Sequence, residues 1–211
     1  MEAKINDELL DEKCSRDRIL ATIRNNQPPL TLLPEIKYFE QSFTNLLAQF
    51  KLMIPAVGGF VKEVNNVDEI INILKIQYNN QQRIISVLPE FSGYAEIYNA
   101  PDDPHKLDNV EVAIIKAHFG VAENGAVWVT ENILQDRVLP FICQHLVAVI
   151  NEGDLVATMQ QAYDKIHGQQ YGFGTFIAGP SKTADIEQSL VLGAHGPKTM
   201  TVFVIKSIVQ Q

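Results

Sequence analysis

A glycine-rich turn near the carboxyl end of the chain carries the strongest candidate for ligand chemistry. Residues 174–178 form an apolar run that predicts a strand, and Gly179-Pro180-Ser181-Lys182-Thr183-Ala184-Asp185 follows it. Glycine lets the backbone approach a ligand, the two hydroxyls can donate hydrogen bonds, and the lysine adds a positive charge. We expect a helix to begin here, so that its free N–H groups attract a small anion. Spacing alone equally allows an ordinary helix capped by Ser181 or Thr183.

A histidine between glycines follows in Leu192-Gly193-Ala194-His195-Gly196-Pro197. An imidazole can accept and donate protons near neutral pH, and a glycine-flanked turn leaves it partly exposed. Asp185 and Glu187 are close enough in sequence to orient it. The alternative, which the pattern taken alone favours, is a plain turn residue. The other histidines share no metal-ligand spacing, so we predict no metal site.

The segment Glu123-Asn124-Gly125 is the third candidate. Asn-Gly between two apolar runs is typical of a hairpin turn, and this is the reading that the pattern favours. A glutamate at a strand end can also act as a base or a nucleophile, which keeps Glu123 as a catalytic candidate.

Composition limits the partners that these residues can serve. The net charge of −8 argues against nucleic acid, because phosphate backbones are held by clustered Lys and Arg. The chain lacks an apolar run of the roughly 20 residues that a membrane span needs, and its acidic start differs from a signal peptide, so we expect a cytoplasmic protein with no membrane contact. Cys14 and Cys143 lie far apart and cannot supply a four-thiolate iron–sulfur or zinc site.

The elements that position the candidates alternate between strand and helix. Residues 60–64 predict a short strand, and the runs at 83–88, 110–115, 126–130, 145–150 and 200–205 predict further, mostly apolar strands. The run at 67–74 predicts a helix capped by Asn66. Asp154 is a further candidate cap. This order predicts an α/β fold of three αβα layers around a mostly parallel sheet.

The amino-terminal part of the chain is predicted to be helical. An amphipathic helix over residues 6–25 would end at Pro28-Pro29, and a second would run from Pro34 to Phe50. We therefore divide the chain into an arm, residues 1–33, and a main domain, residues 34–211. The arm can pack on another subunit, as in a homo-oligomer, or recruit a different partner.

Taken together, the last third of the chain resembles the signature of the lactate-utilisation protein C family, which carries the LUD domain. The shared pattern is Gly-Pro-Ser-Arg/Lys-Thr-Ala-Asp-Ile-Glu, a short apolar segment, then Gly-x-His-Gly-Pro and a final strand. Upstream, GVAENGAVWV and DRVLPFICQHLVAVI are similar to the family's Ile-Ala-Glu-Thr-Gly-Thr and Arg-x-Leu-Pro stretches. The resemblance covers roughly residues 34–206.

The resemblance implies a fold like that of glucosamine-phosphate deaminases, ribose-phosphate isomerases and CoA transferases, and a role in oxidising L-lactate to pyruvate beside iron–sulfur subunits. With two cysteines, this chain fits an accessory or substrate-handling subunit, and its cofactor stays open. The implied site combines catalytic candidates with groups that bind a small anionic ligand. The former are Glu123, Asp185 and His195, and the latter are Gly125, Gly179, Pro180, Ser181, Lys182, Thr183, Glu187 and Gly196.

The chain departs from the family where Asn124-Gly125-Ala126 replaces Thr-Gly-Thr. The change removes two hydroxyls, and the resulting Glu-Asn-Gly resembles the catalytic glutamate motif of class I CoA transferases. The alternative function is therefore a CoA transferase-like or phosphosugar-type enzyme with Glu123 as the catalytic carboxylate.

Overall fold

The computed structural model describes residues 15–32, 43–78, 82–100, 103–186 and 189–207. The chain divides into two units, Met1–Phe39 and Glu40–Gln211. In the first, helix α1 (Ser15–Asn25) has no buried residue, and its apolar Ile19 and Ile23 are more than half exposed. Residues 6–14 of the predicted first helix and the predicted boundary at residue 33 lie outside the described residues. All further elements belong to the second unit.

The elements of the second unit alternate between strands and short helices. In chain order they are α2 (Leu46–Ala56), β1 (Phe60–Val64), α3 (Val67–Gln77), β2 (Ile84–Ser86), β3 (Glu96–Ile97), β4 (Val112–Lys116), β5 (Phe119–Val121), β6 (Val127–Thr130), α4 (Glu131–Leu134), α5 (Leu139–Ile142), β7 (His145–Asn151), β8 (Leu155–Val156), α6 (Met159–Ile166), β9 (Gly174–Ile177), β10 (Lys182–Ile186), β11 (Ser189–Leu192) and β12 (Thr199–Ile205).

A parallel sheet forms the centre of the unit, as the strand–helix alternation predicts. Its six described strands run in the order β1-β12-β7-β4-β2-β3, and every neighbouring pair is parallel. The two longest strands, β7 and β12, lie side by side from His145 opposite Thr199 to Asn151 opposite Ile205. Because the register keeps their starts level, the residues before both strands meet at one edge of the sheet, and the residues after them at the other.

Both faces of this sheet are covered, which explains its almost unbroken apolar strands. In β7, Leu146, Ala148 and Ile150 face one cluster, with α2, α4 and α5, and Val147 and Val149 face the other, with α3. The predicted cap of α3 is confirmed, since Asn66 Oδ1 accepts a hydrogen bond from the Glu69 amide at 3.0 Å. The expected αβα layers around a mostly parallel sheet are therefore present.

A smaller sheet carries the segments that lead to the glycine-rich turn. Its order is β8-β5-β6-β9, and β9 runs antiparallel to β6. The turn at Asn124-Gly125 joins the antiparallel pair β5 and β6, as the Asn-Gly signal predicts. Helix α6 packs on this sheet through Ala162 and Ile166.

Three local predictions are wrong. No helix follows the glycine-rich turn, because residues 182–186 pair antiparallel, as β10, with β11, the next strand of the chain. This cross-strand pairing overrides the local helix signal. The helix cap that was expected at Asp154 belongs to Thr158, whose Oγ1 accepts from the Gln161 amide. Helix α2 begins at Leu46, after the cap Asn45, and continues to Ala56, so Phe43 precedes it. Residues 34–42 of the predicted helix lie outside the described residues.

Candidate functional site

The glycine-rich turn borders a cavity of about 320 Å³, which we call the turn cavity. Three separate parts of the chain form its wall: helix α5, the end of β9 with the following turn, and the loop before β12. The lining residues are Pro140, Phe141, Phe176, Ile177, Ala178, Gly179, Pro180, Ser181, Lys182, His195 and Pro197. A volume of this size lies at the lower end of ordinary small-molecule sites, which span about 300–1,000 Å³.

The turn is fixed against the carboxyl end of α2. Gly179 has a φ of +76°, and a Cβ on it would lie 2.1 Å from the Val57 carbonyl oxygen. The Lys182 ammonium donates to the same oxygen, so this lysine satisfies an end-of-helix carbonyl. Its charge stays beside the cavity, but one of its donors is already used by the protein.

The loop that carries His195 is held on the turn by backbone contacts. The Ser181 amide donates to the Pro197 carbonyl at 2.9 Å, and the Gly193 amide donates to the Ser181 carbonyl at 3.1 Å. Gly196 comes so near that a Cβ on it would lie 3.1 Å from Ser181 Cβ. These contacts bring Ser181 and His195, fourteen positions apart in sequence, to one cavity wall. They also occupy the Ser181 amide, which is therefore unavailable to an anion.

The turn cavity lies at the amino edge of the six-stranded sheet, because Pro197 precedes β12 and α5 precedes β7. A glycine-rich turn that follows a strand of a mostly parallel sheet would lie at the carboxyl edge, where ligands gather in open α/β sheets. That placement is wrong for the main sheet. Strand β9, which enters the turn, belongs to the smaller, mostly antiparallel sheet, and the rule does not govern its carboxyl end.

Two of the predicted site residues lie away from the turn cavity. The Glu123 carboxylate accepts from the Met159 amide at 2.8 Å and so stabilises the start of α6. Gly125, with a φ of +71°, lies against the backbone of α2, since a Cβ on it would lie 3.1 Å from the Ile54 nitrogen. Neither lines the turn cavity.

The remaining predicted residues fall into two groups. Thr183 is half-buried and pairs with Val191 in the hairpin, outside the wall of the turn cavity. The side chain of Asp185 and all of Glu187 lie outside the described residues. The pairing of His195 with either carboxylate therefore stays a prediction.

The apolar wall of the turn cavity was not predicted from the sequence. Pro140 and Phe141 belong to the Arg-x-Leu-Pro stretch, and Phe176 to the strand before the turn. The only sequence signal for the first two was that family-like stretch, which carries no polar side chain at these positions. Phe141 is 43% exposed, although its neighbours Leu139 and Pro140 are buried.

A polar cluster occupies the same amino edge of the sheet. His145 Nδ1 lies 2.7 Å from Thr199 Oγ1, and its ring lies 5.3 Å from that of Tyr78. Burial lowers the pKa of His145, while Glu111, whose carboxylate lies 3.6 Å from Nε2, acts in the opposite direction. Burial also raises the pKa of the Tyr78 hydroxyl. At neutral pH we therefore expect an uncharged imidazole here, which the sequence did not distinguish from the other histidines.

Within the described ranges, no group of three His, Cys, Asp or Glu side chains is arranged to hold a metal ion. None of the described helices has the length and apolar character that crossing a membrane requires.

The fold and the site together define a layered α/β protein with a cavity of about 320 Å³ beside a glycine-rich turn. Residues 101–205 match the model of the LUD domain. The lactate utilization protein C of Geobacillus thermodenitrificans is 26% identical over 201 residues, which cover 90% of this chain and 80% of that protein. That of Anoxybacillus flavithermus is 38% identical over 106 residues, which cover 46% of this chain and only 48% of that protein. The chain belongs to the LUD-domain, lactate utilization protein C family.

A solved structure supports the fold. The DUF162 family protein from Deinococcus radiodurans matches with a TM-score of 0.58 at 19% identity, covering 76% of this chain and 96% of that one. At this identity the likeness concerns the fold alone.

Proposed function

We propose that this chain is an accessory or substrate-handling subunit in the oxidation of L-lactate to pyruvate, and that it binds a small anionic ligand in the turn cavity. The observation that carries the proposal is the meeting of Ser181 and His195 at one wall of that cavity, in a chain whose relatives are named for lactate utilisation. Iron–sulfur subunits would supply the electron transfer. The two cysteines of this chain are too few for such a cluster.

The chemistry of the wall suits an anion with an apolar part. The Ser181 hydroxyl and the His195 imidazole can each donate a hydrogen bond to a carboxylate or phosphate oxygen. The Lys182 charge lies beside them, held by the Val57 carbonyl. Phe141, Phe176 and Ile177 form the apolar part of the wall. His195 can also exchange a proton with the bound ligand.

The acyl-transfer alternative has less support. A glutamate nucleophile must reach the acyl carbon, whereas the Glu123 carboxylate is engaged by the Met159 amide and lies outside the turn cavity. We therefore place Glu123 outside the proposed site.

Calorimetric titration of the purified full chain with lactate, pyruvate, CoA and ribose 5-phosphate tests the proposal. Removing a hydrogen bond to a charged group costs about 1.5–3 kcal/mol, so Ser181→Ala or His195→Gln should lower the affinity for the ligand that binds by about 10- to 100-fold. Ser92→Ala and His167→Gln, at exposed positions outside the cavity, are the matched controls and should leave affinity unchanged. Lactate-dependent growth of cells that carry only the variant chain should fall in parallel. Unchanged affinity and growth in both site variants would refute the assignment.

A further inference from the structure

The hairpin formed by β10 and β11 is separate from both larger sheets. Its two strands pair antiparallel with each other, and within the described residues neither strand has another partner. A hairpin of two strands is only marginally stable in water, and further strands or a packed face normally stabilise it. The outer edges of this hairpin are therefore candidate sites for pairing with another chain.

The two outer edges differ in their protection against such pairing. Strand β10 contains the charged residues Lys182 and Asp185, and its register with β11 shifts between Thr183 and Ile186, where β10 holds one residue more than β11. Charged side chains and bulges are the features with which edge strands avoid pairing with other chains. Strand β11, with the sequence Ser-Leu-Val-Leu, has neither. Its edge is the unprotected one.

The side chains on the solvent face of β11 are apolar. Leu190 is 67% exposed and Leu192 is 51% exposed, whereas Val191 on the opposite face is half-buried. The edge strand β1 of the main sheet differs, since its exposed side chains include Lys62. An exposed, apolar edge strand is a template on which another strand can pair.

The backbone groups on the free edge belong to the same two leucines. The Gly193 amide donates to the Ser181 carbonyl at 3.1 Å, so Gly193 directs its backbone groups towards β10. Alternate residues of an antiparallel strand direct their N–H and C=O groups to opposite sides. Val191 therefore shares the direction of Gly193, and Leu190 and Leu192 direct their groups away from β10.

This arrangement is self-complementary. When two β11 strands pair antiparallel about a two-fold axis at Val191, Leu190 of each copy lies opposite Leu192 of the other. Both pairs are hydrogen-bonded pairs, because the backbone groups of these leucines point outwards, and the four leucine side chains meet on one face. This is the register in which every leucine faces a leucine. Two copies that each carry a net charge of −8 repel one another, and a strand without charge is the surface at which this repulsion matters least.

We propose that this protein forms a two-fold dimer in which the β11 edges of two copies join their hairpins into one four-stranded antiparallel sheet. Four strands with an apolar face meet the requirement for a stable sheet, which two strands do not. The two-fold axis closes the assembly at two copies. Because a single pair of edges buries less surface than a standard interface, the dimer is weak and dissociates on dilution. The inference does not rest on the proposed function, since Leu190 and Leu192 do not line the turn cavity.

Sedimentation velocity of the full chain between about 1 and 300 µM tests the dimer. Leu190→Lys should raise its dissociation constant at least about 100-fold, because the symmetry counts each substitution twice and each lysine would enter an apolar contact. Leu52→Lys is the matched control, since Leu52 on α2 is also 67% exposed, and should leave the dissociation constant unchanged. Both leucines are exposed, so circular dichroism should show that both variants fold.

A double variant tests the register. In Leu190→Lys combined with Leu192→Asp, each lysine lies opposite an aspartate of the other copy, so at least about tenfold of the lost affinity should return. Leu190→Lys combined with Leu192→Lys should recover none of it. Dimerisation of the first double variant and not of the second would support the pairing.

Three results would overturn the proposal: a wild-type chain that is monomeric at every concentration, a Leu190→Lys variant that dimerises as the wild type does, or two double variants that dimerise equally. In the second case another surface holds the dimer. None of these results bears on the ligand of the turn cavity, which the calorimetric titration tests separately.

Discussion

Substitution of Gly179 by alanine tests the feature on which the turn cavity depends, the close approach of the turn to α2. An L-residue at φ +76° costs roughly 1–2 kcal/mol from backbone strain. The new Cβ would also lie 2.1 Å from the Val57 oxygen, whereas ordinary contacts begin near 3.4 Å, so the turn must move by more than 1 Å. Such overpacking adds about 1–3 kcal/mol. We therefore expect Gly179→Ala to lower the free energy of unfolding by about 2–5 kcal/mol.

The chain offers a matched control in Gly168. Its φ is +74°, nearly that of Gly179, but a Cβ on it would meet no atom within 4 Å. Gly168→Ala therefore carries the same backbone strain and the same loss of unfolded-state entropy, without the clash. Its expected cost is about 1–2 kcal/mol, and the difference between the two variants isolates the contact with α2.

Urea denaturation followed by circular dichroism measures both losses, provided that the slope with denaturant stays unchanged. Equal losses in the two variants, within about 0.5 kcal/mol, would refute the close approach of Gly179 to Val57. A larger loss in Gly179→Ala, accompanied by weaker ligand binding in the turn cavity, would support it.

Two further predictions concern titratable groups. Burial raises the pKa of Cys143 to about 12, so this thiol should not react with an alkylating reagent in the native protein at pH 8. Mass mapping should find it unmodified in the native protein and modified in urea. Alkylation of Cys143 in the native protein would contradict its burial. Burial lowers the pKa of His145 in the folded protein, so as the pH falls the unfolded chain binds a proton at this residue before the folded chain does. The free energy of unfolding should therefore decrease as the pH drops from about 6.5, the ordinary histidine pKa, towards the lower pKa of the folded state. Urea denaturation between pH 5 and 7.5 measures this loss of stability, and His145→Gln should make it smaller. His167→Gln, at an exposed position, is the control and should leave it unchanged. If stability depends on pH equally in both variants, His145 is not the cause of the loss.

Local sequence patterns determined most of the central sheet. Runs of apolar residues predicted β4, β7 and β12, because strands covered on both faces of a parallel sheet must be almost entirely apolar. The Asn66–Glu69 pair predicted the start of α3. The family-like motif placed Ser181 and His195 in one segment of the chain.

Only the tertiary structure decided where that motif lies and which residues share its cavity. Residues 182–186 form a strand because they pair with β11, the next strand of the chain. The Lys182 ammonium, in contrast, donates to the Val57 carbonyl at the end of α2, 125 positions earlier in the sequence. The Glu123 carboxylate likewise accepts a hydrogen bond from a residue distant in sequence, the Met159 amide at the start of α6, and so lies outside the turn cavity. Patterns within a few residues report local preference and burial, whereas partners far away in sequence become neighbours only when the sheets are assembled. The grouping of residues around each cavity is therefore a property of the fold.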